Sequence, residues 1–147
     1  LRFHMYENNN VRAVREIYES LKRGHFDSVL KALHHDVDWH FPEMNGVPFG
    51  GRWNGRDGVR EFFEVLDRAR ELIEFIPERF FAQGDTVIAL GRFVLRANST
   101  GWDAASDWAH VWDLKDGNVV RLTAYIDTAA VTRAHVGRRE EFSLSLA

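Results

Sequence analysis

Residues 103–128 carry a β-hairpin signal that constrains the fold of this chain more than any other stretch. Two runs of alternating residues flank Asp116-Gly117, a dipeptide that favours the tight turns of two-residue hairpins. Neighbouring side chains of a strand point to opposite faces, so each run should present one apolar face. The first run places on that face Trp108, His110, Trp112 and Leu114, and the second places there Val120, Leu122, Ala124 and Ile126. The single imidazole on this face, His110, is the first candidate for chemistry.

Length and composition limit the classes of protein to which this chain can belong. A chain of 147 residues is long enough for one substantial core and too short for two domains. Its 19 basic and 22 acidic residues form no long run of one sign, so we predict no nucleic-acid partner. The absence of cysteine excludes disulfides, thiolate metal sites and a cysteine nucleophile. No apolar run reaches the roughly 18 residues of a membrane span and no signal-peptide core is evident, so we expect a cytoplasmic protein without membrane contact.

Three helices are predicted in the first half of the chain. From about 7 to 23, apolar residues recur at steps of three and four, which is typical of one face of an amphipathic helix. Asp27 is a candidate N-cap for a short second helix that runs to about Leu33. Asp57 is the corresponding candidate for a third helix at about 58–70.

Between the second and third helices the pattern changes from helical to alternating. Trp39 and Phe41 share one face of a predicted strand at 37–41, which Pro42 ends because it has no backbone N–H. Residues 43–55 are rich in glycine and are predicted to form a long loop. Loops of this length inside a compact domain are often functional.

The rest of the chain is predicted to be mainly sheet. Strands at about 72–82 and 86–97 precede the hairpin, and Pro77 indicates that the first of them is bent or lies at an edge. A short helix at about 128–136 follows the hairpin. Helices followed by a run of antiparallel strands indicate an α+β fold, in which N-terminal helices cover one face of a curved, mainly antiparallel sheet.

These elements form one predicted domain at 7–136. We expect the segments 1–6 and 137–147 to be loose termini, because they fit no element and chain ends are poorly ordered unless they are tied down.

Six short sequence segments occur in the same order as the predicted elements, at residues 24–27, 36–39, 51–59, 110–112, 116–120 and 125–127. Together they resemble SnoaL-like and ketosteroid isomerase-related proteins of the nuclear transport factor 2-like superfamily. The resemblance covers roughly residues 8–135. It implies a cone-shaped α+β barrel with a deep apolar pocket between sheet and helices, commonly in a homodimer that forms through the sheets.

The resemblance transfers only in part to catalytic residues. The histidine of SnoaL-type polyketide cyclases corresponds to His110, while their catalytic aspartate falls on Ala124. The helix-one tyrosine of ketosteroid isomerases falls on Ile17, with Tyr18 beside it. Their general-base aspartate precedes a proline, and this chain has Phe41 there. The resemblance therefore implies half of one catalytic pair.

Three residues are the candidate catalytic group. His110 is a candidate general acid or base, because imidazole exchanges protons near neutral pH; the alternative is a core histidine bonded to a backbone carbonyl or a tyrosine. Tyr18 would place its hydroxyl in the same pocket. Asp127 would orient His110 from the end of the last strand, or else cap the final helix. We predict neither a metal site nor an organic cofactor, since the histidines and aspartates of 34–40 have a spacing that matches no familiar zinc site.

Large side chains at strand and helix spacing form either the wall of a ligand pocket or plain core. If they line a pocket for a small apolar molecule, the predicted substrate-binding residues are Trp39, Phe41, Trp53, Phe62, Trp108, Trp112 and Leu122.

Two functional hypotheses remain open, with a third behind them. The first is an isomerase, cyclase or hydro-lyase in which His110 moves a proton. The second is a non-catalytic protein of the same fold that binds a small ligand, and the third is an interaction scaffold that uses the outer sheet face. If His110 lines an accessible cavity and has a hydrogen-bond partner, the enzyme hypothesis survives; if it is sealed between packed tryptophans, it does not.

Overall fold

The structure is a computed structural model that describes residues 8–137. Four helices and six strands follow one another as α1 (Asn9–Lys22), α2 (Phe26–Lys31), β1 (Leu33–Phe41), β2 (Gly51–Asn54), α3 (Gly55–Ala69), β3 (Arg70–Gln83), β4 (Thr86–Ala97), β5 (Asp103–Lys115), β6 (Asn118–Ile126) and α4 (Thr128–Val136). The predicted loose termini lie outside the described residues, except for Gly137 at the end of α4. In the described part of the chain, no helix has the length and apolar character that a membrane crossing requires.

The strands form one curved sheet in the order β2-β1-β6-β5-β4-β3. All neighbouring pairs are antiparallel except β1 and β6, which run parallel. The sheet is not closed, because β2 and β3 are its two edges. Four helices pack on it, which confirms the predicted α+β fold.

Alternation along the long strands determines which sheet face is covered. In β4 and β5 every second residue is buried, so one face of the sheet packs against the helices and the other faces outwards. From α1 the helical stripe Val11, Val14, Ile17 and Tyr18 is buried, and from α3 the residues Val59, Phe62 and Leu66. The core therefore lies between the inner sheet face and these two helices.

The start of β1 differs from the prediction. The second helix already ends at Lys31, and β1 begins at Leu33, where the sequence predicted helix. Leu33 pairs with Val119 of β6, and the next pair is Asp38 with Arg121, so the register is irregular between them. The strand starts early because it pairs with a distant segment of the chain, which local periodicity does not report.

The beginnings of the second and third helices also differ from the prediction. Neither Asp27 nor Asp57 is an N-cap; both lie in the first turn of their helices, where a carboxylate interacts favourably with the helix dipole. The helix α3 begins at Gly55 because β2 precedes it inside the predicted loop. That strand pairs antiparallel with β1, with Trp39 opposite Trp53.

A register shift in the hairpin changes one face assignment. The pairing between β5 and β6 shifts between Asp113 and Leu114, so that Leu114 lies opposite Val119. Val119 is consequently fully buried, whereas Val120, which the simple alternation placed inwards, is only partly buried. The other three predicted inward residues of β6 keep their side.

A second irregularity lies at Pro77 on the edge strand β3, as predicted. The register with β4 shifts between Pro77 and Arg79. Opposite Pro77 is Gly91, where an added Cβ would collide with the Ile76 carbonyl oxygen and the Trp108 ring. Glycine at this position therefore lets the indole of Trp108 lie close to the β4 backbone.

Candidate functional site

Tyr18 and His110 are brought together, as the predicted catalytic group requires. The Tyr18 hydroxyl lies 2.7 Å from His110 Nδ1, and the indole N–H of Trp112 donates to the Tyr18 oxygen at 3.0 Å. An indole nitrogen can only donate, so the Tyr18 oxygen accepts from Trp112. We assign the Tyr18 proton to His110 Nδ1, because this direction gives both the hydroxyl proton and the ring nitrogen a partner. The chain of donors therefore runs from Trp112 through Tyr18 to His110, and the neutral imidazole carries its proton on Nε2.

Burial keeps both groups neutral. The His110 side chain is 8% exposed, and desolvation lowers the pKa of its imidazole to about 3. Desolvation also raises the pKa of the Tyr18 hydroxyl, against the opposing effect of the hydrogen bond from Trp112. At neutral pH this site thus offers hydrogen bonds between uncharged groups, with the Nε2–H of His110 as a donor.

The space around His110 is filled by aromatic rings. Trp108 stacks on it with a centroid separation of 4.1 Å, and Trp112 meets it edge-on at 6.2 Å. Phe41 and Phe75 each lie 6.3 Å away. Two concavities of about 450 and 410 Å³ lie elsewhere, over the outer sheet surface and at the β3–β4 edge.

The predicted wall residues do converge on this interior. The ring centroid of Phe62 lies 4.7 Å from that of Phe41 and 5.7 Å from that of Trp53. The ring centroids of Trp39 and Trp112 are also 5.7 Å apart. Leu122 is buried beside them. Trp53 is the most peripheral, since it is only half-buried and its indole donates to the Phe49 carbonyl at 3.4 Å. The residues form one aromatic cluster whose rings contact each other directly.

Two indole groups in this cluster have no hydrogen-bond acceptor within the described range 8–137. Trp39 and Trp108 are 2% and 3% exposed, and in the described residues no acceptor faces either Nε1. A buried donor without an acceptor costs about 1–3 kcal/mol, which explains why native proteins contain few of them. Together with the Nε2–H of His110, they give the cluster donors that a ligand oxygen could accept from.

The family model of the SnoaL-like domain matches residues 14–122, which include most of α1, the whole of β5 and most of the aromatic cluster. The chain belongs to the SnoaL-like domain family. No curated protein matches it in sequence.

Solved structures similar to this SnoaL-like domain share its fold along nearly the whole length. A nuclear transport factor 2-like protein of unknown function from Burkholderia pseudomallei is 30% identical, with a TM-score of 0.80 over 89% of this chain and 100% of that one. A nuclear transport factor 2-like protein from Burkholderia xenovorans is 26% identical, with a TM-score of 0.80 over 89% and 98%. TerC, which was co-crystallised with polyporic acid, is 26% identical, with a TM-score of 0.75 over 88% and 100%.

The third predicted catalytic residue, Asp127, lies apart from His110 in this SnoaL-like domain. Its side chain is exposed, and Oδ1 accepts the Ala130 N–H at 3.0 Å, so that it caps the start of α4. Ala124 is the residue that lies opposite His110 on β6. The structure therefore gives Asp127 the capping role that the sequence allowed, and brings no carboxylate of β6 to the imidazole.

One polar residue of the interior was missed by the sequence analysis. His135 in the last turn of α4 is 6% exposed and contacts Phe49 with a centroid separation of 5.4 Å. The spacing of Val131, Ala134 and His135 in the predicted helix was the available signal, because steps of three and four mark one helix face. Phe75 and Phe80 of β3 also contact Tyr18, each at 5.9 Å.

The histidine-rich stretch that was predicted not to bind metal lies on the surface of β1. One ligand atom from each of His34, His35 and Asp36 lies within 4.8 Å of the others. The three side chains range from partly buried to exposed, and the His34 and His35 rings stack on each other at 4.2 Å. This cluster is not among the residues that surround His110.

Proposed function

We propose that this SnoaL-like domain binds a small, flat, mainly apolar molecule among the aromatic rings around His110, and that an oxygen of the ligand accepts hydrogen bonds there. The observation that carries the proposal is the pair of buried indole donors, Trp39 and Trp108, which have no acceptor within residues 8–137. A ligand oxygen would satisfy donors whose desolvation is otherwise uncompensated.

The residues around His110 support a particular class of ligand. Aromatic side chains provide flat apolar surfaces, and ring stacking contributes about 0.5–1.5 kcal/mol per pair beyond area burial. The polar groups of the site are neutral, because burial disfavours the imidazolium of His110 and the phenolate of Tyr18. An uncharged oxygen such as a carbonyl matches the interior of such a site, whereas an ionised group of the ligand would need a buried counter-ion there and would have to remain in water at the opening.

Ligand entry requires rings to move apart, because they fill the space at His110. Phe41 is partly buried at the end of β1, and Phe49 lies on the segment between β1 and β2. Their ring centroids are 6.5 Å apart. The segment that carries Phe49 can move without breaking pairs of the central strands, so we expect the opening at this pair.

Polyporic acid, the molecule present in the TerC crystals, is a suitable first probe. Titration of the purified protein should give saturable quenching of tryptophan fluorescence, since three tryptophans surround the site. Trp108→Phe keeps a stacking ring and removes the N–H, so its affinity should be about three- to tenfold weaker, the value of one neutral hydrogen bond. Trp102→Phe, at the β4–β5 turn, should bind as the wild type does. Absence of saturable binding would contradict the proposal.

Catalysis is a second candidate, and the Tyr18–His110 hydrogen bond favours it. Once the rings have moved apart, a neutral imidazole whose Nδ1 is fixed by a hydroxyl can donate a hydrogen bond from Nε2 to a substrate carbonyl and polarise it, which would assist an isomerase, cyclase or hydro-lyase reaction. If bound polyporic acid is converted, His110→Ala should abolish conversion and change its affinity by no more than about 1–2 kcal/mol. Equal losses of turnover and affinity would instead indicate a binding role alone.

We also propose that the protein forms a homodimer through the outer face of the sheet. Apolar residues lie side by side on three neighbouring strands of this face, namely Ile88, Leu90, Ala109, Val111 and Tyr125. Tyr125 is 58% exposed and Ile88 is 38% exposed. A second copy of the same face would cover this apolar surface.

A further inference from the structure

His135 is held rigidly at the end of α4. The Ser99 hydroxyl donates to the His135 carbonyl oxygen at 2.8 Å, and the Thr100 hydroxyl donates to the Ala134 carbonyl oxygen. Both hydroxyls belong to the turn between β4 and β5, so this turn satisfies carbonyls that a helix end leaves free. The helix backbone that carries the imidazole is therefore fixed to the sheet.

The hydrogen bond of His135 determines its tautomer. Its Nδ1 lies 2.9 Å from the Val131 carbonyl oxygen, and a carbonyl oxygen can only accept. Nδ1 must then carry the proton, and in the neutral ring Nε2 has a free lone pair. This nitrogen is buried, and across residues 8–137 nothing donates to it.

The two buried histidines therefore differ in what they can offer a ligand. At His110 the lone pair of Nδ1 is already used by Tyr18, and the free position is a donor. At His135 the backbone uses the donor, and the free position is an acceptor. A buried acceptor without a donor costs about 1–3 kcal/mol, so its persistence needs a physical reason.

Aromatic contacts connect His135 to the interior at His110. The His135 ring meets Phe49 at 5.4 Å, Phe49 meets Phe41 at 6.5 Å, and Phe41 meets His110 at 6.3 Å. His110 thus contacts Phe41 and His135 contacts Phe49, and these two phenylalanines form the pair at which we expect the interior to open. A molecule that enters between Phe41 and Phe49 would reach both histidines.

We propose that His135 is a ligand-binding residue whose Nε2 accepts a hydrogen bond from a hydroxyl group of the bound molecule. This inference rests on the proposed function, since it places the ligand in the same interior. It narrows the ligand class to flat molecules that carry two kinds of oxygen. One oxygen accepts from the indole and imidazole donors near His110, and a hydroxyl donates to His135.

Nuclear magnetic resonance of the protein with ¹⁵N-labelled histidine tests this assignment directly. At about pH 8, above the ordinary histidine pKa, the free protein should show a protonated Nδ1 and a bare Nε2 at His135. Phenol and toluene are matched probes, because they have similar size and only phenol has a hydroxyl. Phenol should shift the His135 Nε2 signal and toluene should not. A proton on Nε2 in the free protein overturns the inference.

Two substitutions separate the acceptor from the fold. His135→Asn retains an N–H that can reach the Val131 carbonyl and leaves no acceptor at the position of Nε2, because its shorter side chain ends before that point, whereas His135→Gln places an amide oxygen near it. The wild type should prefer phenol over toluene by about three- to tenfold, the asparagine variant should lose this preference, and the glutamine variant should retain it in part. A preference that persists in His135→Asn, or phenol bound without a change at Nε2, refutes the role of His135. Saturable binding of polyporic acid in that case would leave the proposed function intact.

Discussion

At His110, the energetic balance favours the neutral imidazole over the charged form. Desolvation opposes protonation, and among the described residues the hydrogen bond of the ring is with Tyr18 rather than with a carboxylate. The absence of a carboxylate on β6 at Ala124 has the same effect, because a negative neighbour would raise the imidazole pKa. The residue that the sequence marks as a proton carrier is thus held as a hydrogen-bond donor.

This balance predicts how stability depends on pH. An unfolded histidine binds its proton below about pH 6.5, whereas folded His110 does so only below about 3. The unfolded state therefore binds more protons between these values, and the free energy of unfolding falls as the pH is lowered from 6.5 towards 3. We expect His110 to account for a loss of about 2 kcal/mol between pH 7 and pH 5, measured by urea unfolding.

Two variants identify the residue that is responsible. His110→Gln lacks the titrating group and should lose this part of the pH dependence, even if its stability at pH 7 is lower. His25→Gln removes an exposed histidine and should follow the wild-type curve. Parallel curves for His110→Gln and the wild type would show that the buried imidazole is not the source.

At the scale of elements, local patterns predicted the structures whose contacts are local. The hairpin of β5 and β6 and the amphipathic α1 follow from alternation, a tight turn and helical spacing, and they place Trp108, His110 and Tyr18 on the inner face. The edge position of β3 followed from Pro77, because proline cannot donate to a ladder.

The elements that were missed depend on contacts between distant parts of the chain. The short strand β2 forms only because β1 lies beside it, and the first residues of β1 are extended because Leu33 pairs with Val119. Val119 turns inwards because one register shift reverses the face of a strand end. None of these pairings changes the local hydrophobic period, so a single sequence carries no direct signal for them.

The candidate site also has features that the sequence predicted and features that it could not predict. Strand alternation and the family resemblance predicted that His110, Tyr18 and the tryptophans share one interior. The filling of that interior depends on side-chain rotamers and ring contacts such as the 4.1 Å stack of Trp108 on His110, which spacing does not report. His135 was missed because a histidine near a helix end is usually exposed, and only the packing of α4 buries it.

At the scale of the whole molecule, the two faces of the sheet have opposite relations to solvent. The inner face packs against helices and is filled, while the outer face leaves apolar side chains such as Ile88 and Tyr125 in solvent. One concavity of about 450 Å³ runs across this outer face, over Leu90, Ala109 and Tyr125. Stable interfaces bury about 800 Å² per partner, an area that a sheet face of four long strands can supply.

The outer face therefore predicts a dimer that one substitution can disrupt. Ala109 lies in the middle of the face, between Leu90 of β4 and Tyr125 of β6 in register. Ala109→Arg should put a long charged side chain where two sheets approach, without entering the core, and sedimentation equilibrium should change from dimer to monomer. Glu61→Arg on the exposed side of α3 introduces the same side chain away from the sheet, with a larger change of charge, and should leave the dimer intact. A wild-type protein that stays monomeric at the highest concentration would contradict the dimer. An Ala109→Arg variant that stays dimeric would place the interface elsewhere, because no close contact of these sheet faces tolerates a buried, unpaired arginine.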